Sequence, residues 1–142
     1  MFILYVLLIM AGMDCQKNRK QLGTQGELIA RTFLEEKGYQ FIAANWRMGR
    51  QGEMDLIMFE PTDRLVIWVE VKTSSQRHTQ QAFEMALSSV TQAKCQQLFK
   101  LAEGFQAAFP EWAQYASRFD VVAVQKHGPG GFPSVHHLQN VI

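Results

Sequence analysis

A chain of 142 residues, 47% apolar and 19% charged, is long enough to bury one core and too apolar to be a disordered tail. Fourteen Lys and Arg against thirteen Asp and Glu leave a formal charge of +1, so no global basic signature marks a nucleic-acid binder. The first 50 residues hold seven cations and four acids and the rest seven and nine, an asymmetry that a solvated helix explains as well as a phosphate-facing surface does.

In chain order, the apolar run from Met1 to Ala11 is well short of the roughly 20 residues of a spanning helix. No Lys or Arg precedes it, as a secretory signal would require. The expectation is no membrane span: residues 1–16 are an apolar extension, read as an over-extended start with Met10 or Met13 the true first residue. An uncleaved anchor is the alternative, and the folded domain occupies 17–142. Cys15 and Cys95 match no zinc spacing and make no bridge framework, which fits a reduced cytoplasmic protein.

Thr24 to Glu27, "TQGE", is a capping-box pattern, with Leu28, Ile29, Phe33 and Leu34 following at helical intervals and Gly38 placed to end the helix. "YQFIAANW" reads as an internal strand, with Phe41 and Trp46 as core rather than base-stacking residues. Two strands follow around the turn "EPTDR". Gln80 to Phe105 reads as one long helix or two, with Leu98, Phe99 and Leu101 as its buried stripe. "RFDVVAV" is a buried strand and "SVHHL" a weak final one. The order α-β-β-β-α-β implies an α/β fold, a mixed sheet flanked by helices.

The stretch "GEMDLIMFEPTDRLVIWVEVK" carries the chemistry. Alternation places Glu53, Asp55 and Ile57 on one face of their strand, and Trp68, Glu70 and Lys72 on one face of the next. Folding between Thr62 and Asp63 sets Ile57 against Trp68, Asp55 against Glu70 and Glu53 against Lys72. Opposed like charges are destabilising, and three carboxylates against one ammonium call for a cation. Hard oxygen donors suit Mg²⁺ or Mn²⁺ rather than zinc. The bland reading is a wet face on which Glu53 pairs with Lys72, but Leu56, Ile57, Ile67, Trp68 and Val69 are too apolar for an ordinary solvated strand pair.

"GEMDLI" followed by "VEVK" resembles the PD-(D/E)XK nuclease pattern. Together with "GTQGELIARTFLEEKGY", "NWR", "TQAKCQQL" and "RFDVVAV", the chain resembles the small bacterial YraN-like family of that superfamily, over Leu22 to Leu138. The resemblance implies a restriction-endonuclease-like core, with Asp55 and Glu70 as metal ligands, Lys72 as the catalytic lysine and Glu27 as a further acidic ligand. Lys94 matches a family position near the site. From their loop position, Arg47 and Arg50 are candidates for gripping phosphate, although solvated arginines are at least as common there. His136 and His137, without a Cys or carboxylate at metal spacing, read as structural.

The expected function is a Mg²⁺- or Mn²⁺-dependent nuclease acting on DNA, with branched or junction DNA as one substrate class. The alternative is a non-catalytic nucleic-acid-binding or scaffold protein on the same fold. A homodimer would suit a junction. Low charge, and Thr73-Ser74-Ser75 where related sequences place arginines, point to weaker phosphate binding or to a protein partner that delivers the substrate.

Overall fold

The computed structural model describes residues 19–74, 90–127 and 130–142 together with residues 81, 84, 85 and 88; for 19–22 it describes the backbone alone. The apolar segment 1–16 and the start of the helix expected from Gln80 lie outside the described residues. The elements are α1 (Arg19–Glu36), β1 (Gln40–Arg47), β2 (Glu53–Glu60), β3 (Leu65–Ser74), α2 (Gln92–Ala108), a 3-10 turn (Pro110–Trp112), β4 (Ala116–Gln125) and β5 (Ser134–Leu138). One five-stranded mixed sheet runs β1-β2-β3-β4-β5, with β3 and β4 parallel and the other neighbours antiparallel. This is the expected α/β order, with the weak last strand formed. Among the described residues no helix is long and apolar enough to cross a membrane.

The central strands read as nearly unbroken apolar runs because both of their faces are covered. On one face Ile29, Ala30 and Leu34 of α1 pack with Leu56, Met58, Ile67, Val69, Val122 and Val124. On the other, Leu98, Leu101, Ala102 and Phe105 of α2 pack with Met54, Ile57, Val66, Trp68 and Phe119. The hairpin register is the expected one, from Glu60 opposite Leu65 to Leu56 opposite Val69. The Glu60 carboxylate fixes the turn by accepting the backbone N–H groups of Thr62 (3.0 Å) and Asp63 (2.7 Å).

Gly38 ends α1 as expected, at φ +94°. Tyr39 N–H reaches Leu34 O and Gly38 N–H reaches Glu35 O, both at 3.0 Å, the paired bonds of a Schellman motif. Thr91 caps α2, its hydroxyl accepting from Lys94 N–H, so the long helical stretch is interrupted at Val90 and Thr91.

Three expectations are corrected. α1 already runs from Arg19, so Thr24 to Glu27 lie inside it and form no capping box. Gly26 is there for packing: a Cβ would overlap the Thr73 hydroxyl of β3, and the hydrogen alone lets helix and strand meet. β1 is an edge strand, not an internal one; Phe41 is exposed beneath the Arg31 guanidinium, while Trp46 is half-buried against Phe105 and Phe109. Leu98 and Leu101 are buried, but Phe99 is 46% exposed and lies edge-on against Phe119.

Candidate functional site

The β2–β3 ladder stops at Leu56 and Val69, one pair short of Asp55 and Glu70. Beyond it the strands part, and the Asp55 carboxylate replaces the missing backbone acceptor: Val71 N–H donates to its Oδ2 at 2.7 Å. Side-chain alternation breaks at the same place. Met54 packs on the α2 side and Leu56 on the α1 side, although alternation would put both on one face. Across the sheet Asn45 adopts a left-handed backbone at φ +54°, between the Ala44–Leu56 and Trp46–Met54 pairs. Glu53 therefore does not share the Ile57 face.

The distortion brings together acids from separate elements. Glu27 of α1 and Glu53 and Asp55 of β2 each offer a carboxylate oxygen within 4.8 Å of the others. With its nitrogen turned toward them, the Asn45 amide donates to Glu53 Oε1 (2.6 Å) and Glu27 Oε2 (3.2 Å). Glu70 stands beside this trio rather than in it. Its Oε1 accepts from Lys72 Nζ at 2.8 Å and lies 3.1 Å from Lys94 Nζ of α2. Its Oε2 is buried with no hydrogen-bond partner among the described residues.

Electrostatics records the congestion. Burial, then the Glu70 charge, raise the Asp55 carboxyl from an ordinary 3.8 to about 7, against the lowering effect of the Val71 N–H; Glu27 adds to the rise and Lys94 opposes it. Burial also raises Glu27, the Asn45 amide counteracts it, and Glu53 and Glu70 add to the rise.

Of the residues expected at the site, Asp55, Glu27, Glu70, Lys72 and Lys94 meet at this seam. Arg47 is ion-paired with Glu53, which replaces the Glu53–Lys72 pair expected from the register. Arg50 lies in a cleft beside α2. Glu53 was counted among the crowded carboxylates but not as a ligand beside Glu27, and Asn45 was missed. The Asn45 position could be suspected from "AANW", since asparagine tolerates positive φ better than most residues.

A second polar cluster lies on the α1 side of β4. Asp120, its side chain fully buried, accepts Arg118 Nε (2.8 Å) and Nη2 (2.9 Å), shares a 2.8 Å bond with His137 Nε2, and accepts Asn140 N–H at 3.0 Å. Arg118 also donates to the Tyr39 hydroxyl at 2.9 Å, and Lys37 Nζ lies 3.0 Å from His137 Nδ1. Burial alone would raise Asp120, but the bonds from His137, Arg118 and Asn140 outweigh it and hold the carboxyl low. The structural reading of His137 stands, with a carboxylate partner seventeen positions away.

Fold and site define a mixed α/β domain in which acids from a helix and two central strands converge where the strands part, one of them capped by two lysines. The chain belongs to the uncharacterised protein family UPF0102, whose family model matches residues 26–124. That is the YraN-like family to which the motifs pointed. Relatives are the UPF0102 proteins of Natranaerobius thermophilus, 44% identical over 107 residues (75% of this chain, 85% of the relative), and of Desulforamulus reducens, 33% identical over 124 residues (87% and 97%). The UPF0102 protein of Ectopseudomonas mendocina is 39% identical over 111 residues, 78% of this chain and 87% of its own length.

Proposed function

We propose that this protein is a divalent-metal-dependent nuclease that hydrolyses phosphodiester bonds in DNA. The observation that carries the reading is the convergence of Glu27, Glu53 and Asp55 within 4.8 Å, with a charged Glu70 near enough to raise Asp55 to about 7. A packed domain does not assemble like charges without a compensating partner, and an all-oxygen donor set is the chemistry of Mg²⁺ or Mn²⁺. The unpartnered buried Glu70 Oε2 fits the same reading.

In this reading Asp55, Glu27 and Glu53 hold the cation, with Glu70 as a further ligand. When bound, such an ion supplies a water of lowered pKa and withdraws charge from phosphoryl oxygens. Val71 N–H fixes the Asp55 rotamer through Oδ2, and the carboxylate so held keeps an oxygen within reach of those of Glu27 and Glu53. Lys72, a compact cation with three donors, is held by Glu70 beside the seam, where it can orient a water or contact a phosphate oxygen. Lys94 supplies a second positive charge from the α2 side.

The second reading, a non-catalytic nucleic-acid-binding or scaffold protein, draws on a different observation. Arg47 on Glu53, and Lys72 with Lys94 on Glu70, already neutralise two of the acids within the protein. One assay separates the two: junction, flap, single-stranded and duplex DNA incubated with the protein in Mn²⁺, Mg²⁺ or chelator. Metal-dependent cutting that disappears in both Asp55→Asn and Lys72→Ala supports the nuclease. Binding without cutting under any metal supports the second reading.

A further inference from the structure

A cleft of about 480 Å³ opens between the β1–β2 loop and the first three turns of α2. It is lined by Arg50, Gln51, Ala93, Lys94, Gln96, Gln97 and Lys100. Three cations and not one acid face it, in a protein whose formal charge is only +1. Among the described residues Arg50 and Lys100 make no ion pair, and both are exposed. An isolated guanidinium or ammonium on a surface is ordinary; three around one concavity, with amide side chains between them, no acid in the lining and only Lys94 paired, to Glu70 behind it, form a surface complementary to an anion.

The cleft is also braced. Gln97 Nε2 donates to Gln51 O at 2.7 Å, strapping the loop to the helix. Gly52 follows at φ +105°, a backbone that favours glycine, and a Cβ there would push the Gln97 amide off its bond to the loop. Lys94 belongs both to this cleft and to the Glu70 pair, so the cationic track leads directly to the acidic seam.

We infer that this cleft is the track for the sugar–phosphate backbone flanking the bond to be cut, with Arg50 and Lys100 each contacting a non-scissile phosphate and Lys94 joining the track to the acids. The inference rests on the nuclease reading and specifies how its substrate is held. The chemistry recognised is the phosphodiester, which DNA and RNA share.

The test measures binding apart from cleavage. In the Asp55→Asn background with chelator present, fluorescence anisotropy follows labelled single-stranded DNA, duplex DNA and single-stranded RNA across a salt series. Arg50→Ala with Lys100→Ala is compared with Arg64→Ala, a cation in the β2–β3 turn at the opposite end of β2 from the cleft. The double variant should weaken binding by about tenfold or more and reduce the salt dependence by about 0.7–0.9 per lost contact, while Arg64→Ala leaves both unchanged. Loss on the DNA probes assigns the track to DNA, and loss on RNA alone assigns it to RNA. Equal affinities and slopes for the double variant and the Arg64→Ala control overturn the inference, as does an absence of nucleic-acid binding. Failure of the nuclease reading shows separately: the wild-type chain then cuts nothing with metal present, whatever the binding variants do.

Discussion

Replacing Asp55 with asparagine should make the metal-free protein more stable at neutral and alkaline pH while removing its proposed activity. Asp55 is raised from 3.8 to about 7 in the folded chain, first by burial and then by Glu70. Each pH unit of such a displacement corresponds to about 1.4 kcal/mol, so the ionised carboxylate costs the native state up to about 4 kcal/mol above pH 7. The sign follows from proton counting. Between pH 4 and 7 the native state holds a proton that the unfolded chain has released, so stability falls as pH rises through this window and is lowest once both states are ionised. Asparagine removes the charge, and its Oδ1 can still accept the Val71 N–H. The expected gain is about 2–4 kcal/mol near pH 8, shrinking toward zero near pH 4, or roughly 3 °C of Tm per kcal/mol. Urea and thermal unfolding followed by circular dichroism in chelator, at both pH values, measure it. An Asp55→Asn protein less stable than wild type near pH 8, or a difference that does not change with pH, would refute the electrostatic account of the site.

Divalent ions should reverse that order: millimolar Mn²⁺ should raise the Tm of wild type near pH 8 and leave Asp55→Asn nearly unmoved, as scanning calorimetry can check. Asp120→Asn should lose about 3–5 kcal/mol in urea titration near pH 7, because Arg118 is left half-buried without its carboxylate. As Asp120 is held low in the fold, its stabilisation is present above the ordinary aspartate range and should fade as pH drops below it. Gly26→Ala sets a helix-propensity gain of about 1 kcal/mol against overpacking on Thr73, and the net should be a loss of about 1–2 kcal/mol that Thr73→Ala largely recovers. Leu101→Ala, at a fully buried position beneath the sheet, should cost about 2–5 kcal/mol by the same titration.

The hairpin was legible because its turn is short and its strands are apolar on both faces, which leaves few registers that bury Leu56, Ile57, Ile67 and Trp68 together. Asp55, Glu70 and Lys72 stood out as charges in that context. What escaped depends on places where local rules give way to tertiary contact. "TQGE" satisfies a capping box in isolation, but α1 continues N-terminally to Arg19 and Gly26 serves a helix–strand contact. Strict alternation kept Glu53 on the Ile57 face, and only the left-handed Asn45 and the parted ladder show why it turns to α1. Asp120 looked like one acid in a buried strand; besides Arg118 two positions earlier, its partners are His137 of β5 and the Asn140 N–H just beyond it, which sequence spacing does not reveal.

The bond from Val71 N–H to Asp55 Oδ2 gives the domain a built-in reporter. An amide proton facing a carboxylate resonates differently from one facing a carboxylic acid or an oxygen whose electrons are drawn elsewhere. In a nitrogen–proton correlation spectrum, one main-chain signal in the middle of β3 should therefore follow the ionisation of a side chain sixteen residues away, and would register a cation's arrival without any substrate in the tube.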